Sequence, residues 1–71
     1  ISYSNVHIEI DKSDNLNKLY KSLKEKGDST IKISINETGK NYLFELKEKR
    51  KFSYETLKNL NKEDFIKKIS V

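Results

Sequence analysis

The chain has no cysteine, a single histidine (His7), two glycines and no apolar run of the length a membrane helix needs. Without cysteine there is no disulfide framework, and one histidine among scattered acids makes no recognisable zinc cluster. A membrane span takes about 18 or more consecutive apolar residues, and a secretory leader needs an apolar core of its own. Neither pattern is present, so the expectation is a cytoplasmic chain without a membrane contact. Gly27 and Gly39 each fall where a turn wants them, which excludes a glycine-rich phosphate loop. Asp11 and Asp14 flank an expected helix start and read as cap and turn residues, with nothing converging on them that would make a catalytic pair. The fragment is therefore expected to be no enzyme by itself and to hold no metal or cofactor.

What is present is lysine, asparagine and isoleucine. The net charge of +4 rests on fourteen lysines and Arg50, beside eight isoleucines and seven asparagines. AT-rich coding produces that combination without any partner, so lysine excess alone is weak evidence for polyanion binding. Its distribution is more informative. Residues 1–30 carry five basic and five acidic groups, whereas residues 31–71 carry ten basic and six acidic ones. The densest point is KEKRK, Lys47 to Lys51.

Seventy-one residues leave room for one thin core. Beginning with Ile1, the chain reads as a domain cut from a longer protein, with residues 1–4 a linker remnant and 5–71 a single α+β domain. VHIEI alternates, with Val6, Ile8 and Ile10 on one face and His7 and Glu9 on the other, which predicts a half-buried strand over 5–10. His7 falls on the polar face and reads as a surface histidine. Leu16, Leu19, Tyr20 and Leu23 recur at helical spacing, which predicts a helix over about 14–26, capped by Ser13 or Asp14 and ended by Gly27 in the left-handed conformation.

TIKISI places Ile31, Ile33 and Ile35 on one face, and NYLFEL places Tyr42, Phe44 and Leu46 on one face with Leu43 and Glu45 opposite. The Asn and Gly of NETGK between them predict a hairpin. Residues 48–52 are candidates for a further strand or edge ending in Phe52. Ser53 is the expected cap of a second helix, with Glu55 in its first turn and Leu57 and Leu60 facing inward. In the tail, Phe65, Ile66 and Ile69 have helical spacing while Ile69 and Val71 alternate; the reading adopted is helix to about 61, then a closing strand from about 65. The resulting order is β-α-β-β-(β)-α-β, one small sheet with two helices packed on one face.

Two kinds of binding surface fit this pattern. Exposed apolar residues near the end, Phe65, Ile66 and Val71 with Lys67 among them, would anchor a protein partner. Alternatively Tyr42 and Phe44, beside Lys47, Lys49, Arg50 and Lys51, would make a stacking platform for single-stranded nucleic acid. Burial of Phe65, Ile66 and Val71 in the domain's own core competes equally with the first reading, burial of Tyr42 and Phe44 under the helices competes with the second, and a lysine-protected edge competes for the basic run.

The chain from residue 5 to 71 resembles the extreme C-terminal domain of the alpha subunit of bacterial DNA polymerase III. That family typically shows a V-x-I-x-I/L strand, matched by Val6, Ile8 and Ile10. A leucine-rich helix follows, then a Gly-Asp turn into a strand, matched by Gly27, Asp28 and Thr30. Last comes a basic residue before an apolar one and a final capped helix, matched by Arg50, Phe52, Ser53, Glu55, Leu57 and Leu60. The family's prolines beside the turn and after the cap are absent, with Lys26, Ile31 and Tyr54 near those places, and Glu63 and Asp64 stand where leucines are usual. The resemblance implies a non-catalytic docking domain that tethers the polymerase to the tau subunit of the clamp loader in DNA replication, and contacts with other replisome proteins through the parent chain. The DNA-directed DNA polymerase activity itself, the clamp-binding motif and the single-strand-binding domain lie upstream in that family. Direct nucleic-acid contact by this fragment is the less favoured alternative.

Overall fold

Alternating isoleucines build the centre of the molecule. The computed structural model describes residues 3–71, and residues 1 and 2 of the expected linker lie outside them. Strand β1 (Asn5–Ile10) pairs in parallel with β2 (Lys26–Glu37), in a register that sets Val6, Ile8 and Ile10 beside Ile31, Ile33 and Ile35. β3 (Lys40–Glu45) returns antiparallel on β2, and β4 (Ile66–Ser70) lies antiparallel on the other side of β1, giving the order β3-β2-β1-β4. This is a single four-stranded mixed sheet with two helices, a small α+β fold.

A parallel pair cannot be joined by a tight turn. The β1–β2 crossover uses a 3-10 turn at Ser13–Asn15 followed by α1 (Leu16–Lys21), and α2 (Tyr54–Leu60) connects β3 to β4. Leu19 and Leu23 from the crossover, Phe52 and Leu60 from the second connection, and Phe65 before β4 join the six strand residues in one buried cluster. Each fully buried side chain of this kind contributes about 1.5–3 kcal/mol of transfer free energy before entropy is subtracted. The other sheet face carries His7, Glu9, Lys32, Ser34 and Lys68 and has no helix on it.

Several expectations are corrected. The first helix is six residues long, not thirteen. Its apolar spacing is used, but after Lys21 the chain tightens: Ser22 N–H donates to the Leu19 carbonyl and Leu23 N–H to that of Tyr20, both at 3.0 Å. These i to i−3 bonds close the last turn and bring Leu23 down onto the core.

Gly27 does not end this helix. It lies within β2, where a Cβ would stand 2.5 Å from the backbone N and Cα of Lys51, so glycine is needed for close approach and not for a left-handed turn. The segment 48–52 is no further strand; Arg50 alone bridges to Lys26 and Ser29 at the start of β2. Tyr3 and Ser4, within the expected linker, are hydrogen-bonded to the residues around them. Tyr3 N–H donates to the Phe52 carbonyl at 3.2 Å, the Ser4 carbonyl accepts from Thr30 N–H at 2.9 Å, and Tyr3 meets the Phe52 ring edge-on at 6.4 Å.

Neither Ser13 nor Asp14 caps the first helix: Asn15 stands at its cap position without a side-chain hydrogen bond, and the Ser13 hydroxyl is turned to Glu37 instead. The hairpin, the second cap and the tail form as expected. The hairpin closes on a two-residue turn, Thr38 at φ 49° and Gly39 at φ 76°, the double left-handed geometry that matches strand twist. Ser53 caps α2 in a reciprocal box with Thr56, with Glu55 in the first turn. The tail past Asn61 turns and then forms β4, as the strand reading requires.

Candidate partner-binding surface

The six expected nucleic-acid contacts do not assemble. Phe44 sits opposite Ile33 on the core face and is half-buried, while Tyr42, opposite Ile35, is 45% exposed at the hairpin end of β3. Arg50 pairs with Ser29, six residues back along β2 from Ile35, which at about 3.3 Å per residue puts roughly 20 Å between the aromatic end and the basic end.

The basic run is bound into the fold. The Arg50 guanidinium donates to the Leu23 carbonyl at 2.6 Å and to the Glu48 carbonyl at 3.2 Å. Lys51 N–H donates to the Glu25 carbonyl at 2.8 Å, and Gly27 N–H to the Lys49 carbonyl at 3.3 Å. Lys51 and Glu25 also pair through their side chains at 3.6 Å, and Glu48 pairs with Lys26 at 3.7 Å. These exposed ion pairs contribute at most about 1 kcal/mol each, but the main-chain bonds make KEKRK a strap across the α1–β2 connection. Lys47 and Lys49 remain exposed on it.

The expected protein anchors also separate. Phe65 is only 6% exposed and packs in the core, so it is not available to a partner. Its carbonyl accepts from Asp11 N–H at 3.0 Å, which fixes the entry to β4. Ile66 is half-buried opposite Ile10, whereas Lys67 and Val71 are exposed.

An exposed apolar residue that sequence reasoning left aside is Leu43, 67% exposed on the polar side of β3 opposite Ser34. The signal was available, because Leu43 is a large apolar residue at a position whose parity assigns it to the solvated face. Tyr54, on the first turn of α2, is a further exposed aromatic.

The polar groups near these surfaces hold the frame. His7 Nε2 lies 3.0 Å from Ser34 Oγ across the open face. Asp11 accepts from the Asn15 amide at 2.8 Å, and this bond is the main reason its carboxyl is held below its ordinary value. Ser13 Oγ donates to Glu37 at 2.6 Å, tying the 3-10 turn to the end of β2. Ser29, buried, donates to the Tyr3 carbonyl.

A groove of about 460 Å³ between α1 and α2 is lined by Lys21, Lys24, Lys51, Glu25 and Glu55. Among the described residues no group of three or more His, Cys, Asp or Glu side chains is placed to hold a metal ion, and no helix is long and apolar enough to cross a membrane. Compared with known proteins, the chain matches no family model, no curated protein and no solved structure.

Proposed function

We propose that this chain is a non-catalytic docking domain, of the kind that closes the alpha subunit of bacterial DNA polymerase III and tethers that polymerase to the tau subunit of the clamp loader. One observation carries the reading. Two of the short motifs behind the resemblance, Gly27-Asp28 and Arg50 to Ser53, lie more than twenty positions apart, and they meet at one junction. There Gly27 abuts the Lys51 backbone, Arg50 closes onto the Leu23 carbonyl, Phe52 is fully buried and Ser53 starts α2. Residues that match by chance have no reason to share a junction; residues that encode one domain frame do.

The single-stranded nucleic-acid alternative has less support, because its aromatic and basic halves lie at opposite ends of β2 and its one arginine is used internally. The test is a calorimetric titration of the domain with the C-terminal domain of tau from the same bacterium, at physiological salt, where exposed charges are screened beyond about 8 Å. Saturable binding supports the tether. Absence of binding, together with oligonucleotide binding that falls steeply with salt, would replace it with the nucleic-acid reading.

A further inference from the structure

The two edges of the sheet differ. β4 carries the devices that keep an edge from pairing: Lys67 and Lys68 side by side, and a bulge where the register slips between Glu9 and Ile10. β3 carries no such device. Its register on β2 is unbroken from Lys40 to Glu45, it has no proline, and its single lysine and single glutamate leave the strand neutral. Leu43 is 67% exposed on its polar face, and Tyr42 is 45% exposed on the opposite, apolar face.

The main-chain groups have a definite direction. Leu46 N–H donates to the Ile31 carbonyl at 2.9 Å, so antiparallel alternation turns the amides and carbonyls of Tyr42 and Phe44 toward β2. Those of Asn41, Leu43 and Glu45 point away from the sheet.

We propose that this edge pairs with the same edge of a second copy, β3 against β3 and antiparallel, about a two-fold axis at Leu43. An axis normal to the sheet keeps both apolar faces on one side. Centring it on Leu43 is the register that uses all three outward-facing residues of the strand. Leu43 then meets itself, the Asn41 amide faces the Glu45 carboxylate, and Tyr42 faces Phe44, each a favourable cross-strand pair. The charges agree with this choice. Two copies of a +4 chain repel over most of their surface. In this register Lys40 falls opposite Leu46 and Lys47 opposite Gly39, so no like charges face each other. The contact is independent of the tether reading, since failure to bind tau leaves the edge unchanged.

Sedimentation equilibrium from about 10 µM to 1 mM covers the range in which so small an interface would associate. The expected result is a mass rising with concentration from 8.4 kDa toward twice that value. Leu43→Lys, at a solvent-exposed position that leaves the core intact, sets two ammonium groups together on the axis and should hold the chain monomeric. An equimolar mixture of Leu43→Lys with Leu43→Glu should restore the dimer. Amide exchange at Asn41, Leu43 and Glu45 should slow with concentration, while Tyr42 and Phe44 stay protected throughout. A wild-type chain that is monomeric across the range overturns the proposal, whether or not the edge accepts an extended peptide. A dimer indifferent to Leu43→Lys, or a charge-swapped mixture that stays monomeric, does the same.

Discussion

Replacing Gly27 with alanine would strike the junction on which the frame depends. The added Cβ would lie 2.5 Å from the N and Cα of Lys51 and 2.8 Å from the Arg50 carbonyl carbon. Comfortable carbon contacts are about 3.5–4.0 Å, so the strap must retreat by roughly 1 Å, and all three atoms it meets are backbone. That retreat stretches the Lys51 N–H bond to Glu25 and the Gly27 N–H bond to Lys49, and it pulls Arg50 from the Leu23 carbonyl. Overpacking of this kind costs about 1–3 kcal/mol, and each weakened hydrogen bond about 0.5–1.5 kcal/mol, so the expected loss is about 3 kcal/mol.

For a domain of this size, each kcal/mol moves the melting temperature by about 4–8 °C, so circular dichroism should show a fall of about 12–24 °C, with urea midpoints moving in step. Gly39→Ala is the control. No atom lies within 4 Å of its Cβ, and the cost is the left-handed conformation alone, about 1–2 kcal/mol. If Gly27→Ala proved no more harmful than Gly39→Ala, the close-approach account of this junction would be wrong.

Thr38 holds a β-branched side chain at φ 49°, and Thr38→Asn should relieve that strain and stabilise the domain by about 0.5–1 kcal/mol in chemical denaturation. Ser53→Ala removes the hydroxyl that accepts from Thr56 N–H and should cost about 1 kcal/mol by the same measurement, with little change on Ser53→Asp. Asp11 has a folded-state pKa below its ordinary 3.8 because of the Asn15 amide. The folded state therefore binds fewer protons than the unfolded one in acid, and the stabilisation is present above pH 3.8 and fades as the pH falls through the lower folded value. Asn15→Ala should flatten the stability–pH slope in that acid window and leave the slope near neutral pH unchanged. Phe52→Ala should cost about 3–5 kcal/mol and fray the Tyr3 end first, visible as faster amide exchange at Tyr3 and Thr30.

Strands were readable because each needs only its own alternation: Val6, Ile8 and Ile10, and Ile31, Ile33 and Ile35, meet in register with every apolar residue on one face. The cap at Ser53 was readable for the same reason, since its partner Thr56 is three residues away. What escaped was set by contacts remote in sequence. The helix pattern through Leu23 continues past the helix itself, because the chain leaves it at Lys21 to meet residues 49–51, some two dozen positions on. Gly27 looked like a helix stop, and it is a glycine for the sake of Lys51. Phe65 stayed open between anchor and core, and Arg50 read as surface chemistry, because a large apolar side chain and a cation carry no mark of burial or of an internal hydrogen-bond partner. Periodicity does not distinguish an anchor from a core residue at the end of a chain, where only a few neighbours define the pattern.

The same division bears on where a partner's specificity resides. The residues that carry the resemblance are largely frame: Val6, Ile8, Ile10, Phe52 and Leu60 are buried, Gly27 is a contact point, Ser53 is a cap, and Arg50 is occupied by the Leu23 carbonyl. A frame of this kind fixes the sheet and its edges without touching what they meet. Under the docking proposal, recognition would fall to exposed residues such as Tyr42, Leu43, Tyr54, Lys67 and Val71. Substituting frame residues should therefore abolish binding only by unfolding the domain, with loss of affinity tracking loss of circular dichroism. Substituting Leu43 or Val71 should alter binding while the melting temperature stays within about 2–4 °C of the parent, the shift expected for the roughly 0.5 kcal/mol that exposed positions contribute. A variant at Val6 or Ile8 that bound less tightly while melting at the parental temperature would show that the frame itself reads the partner, and the separation drawn here would fail.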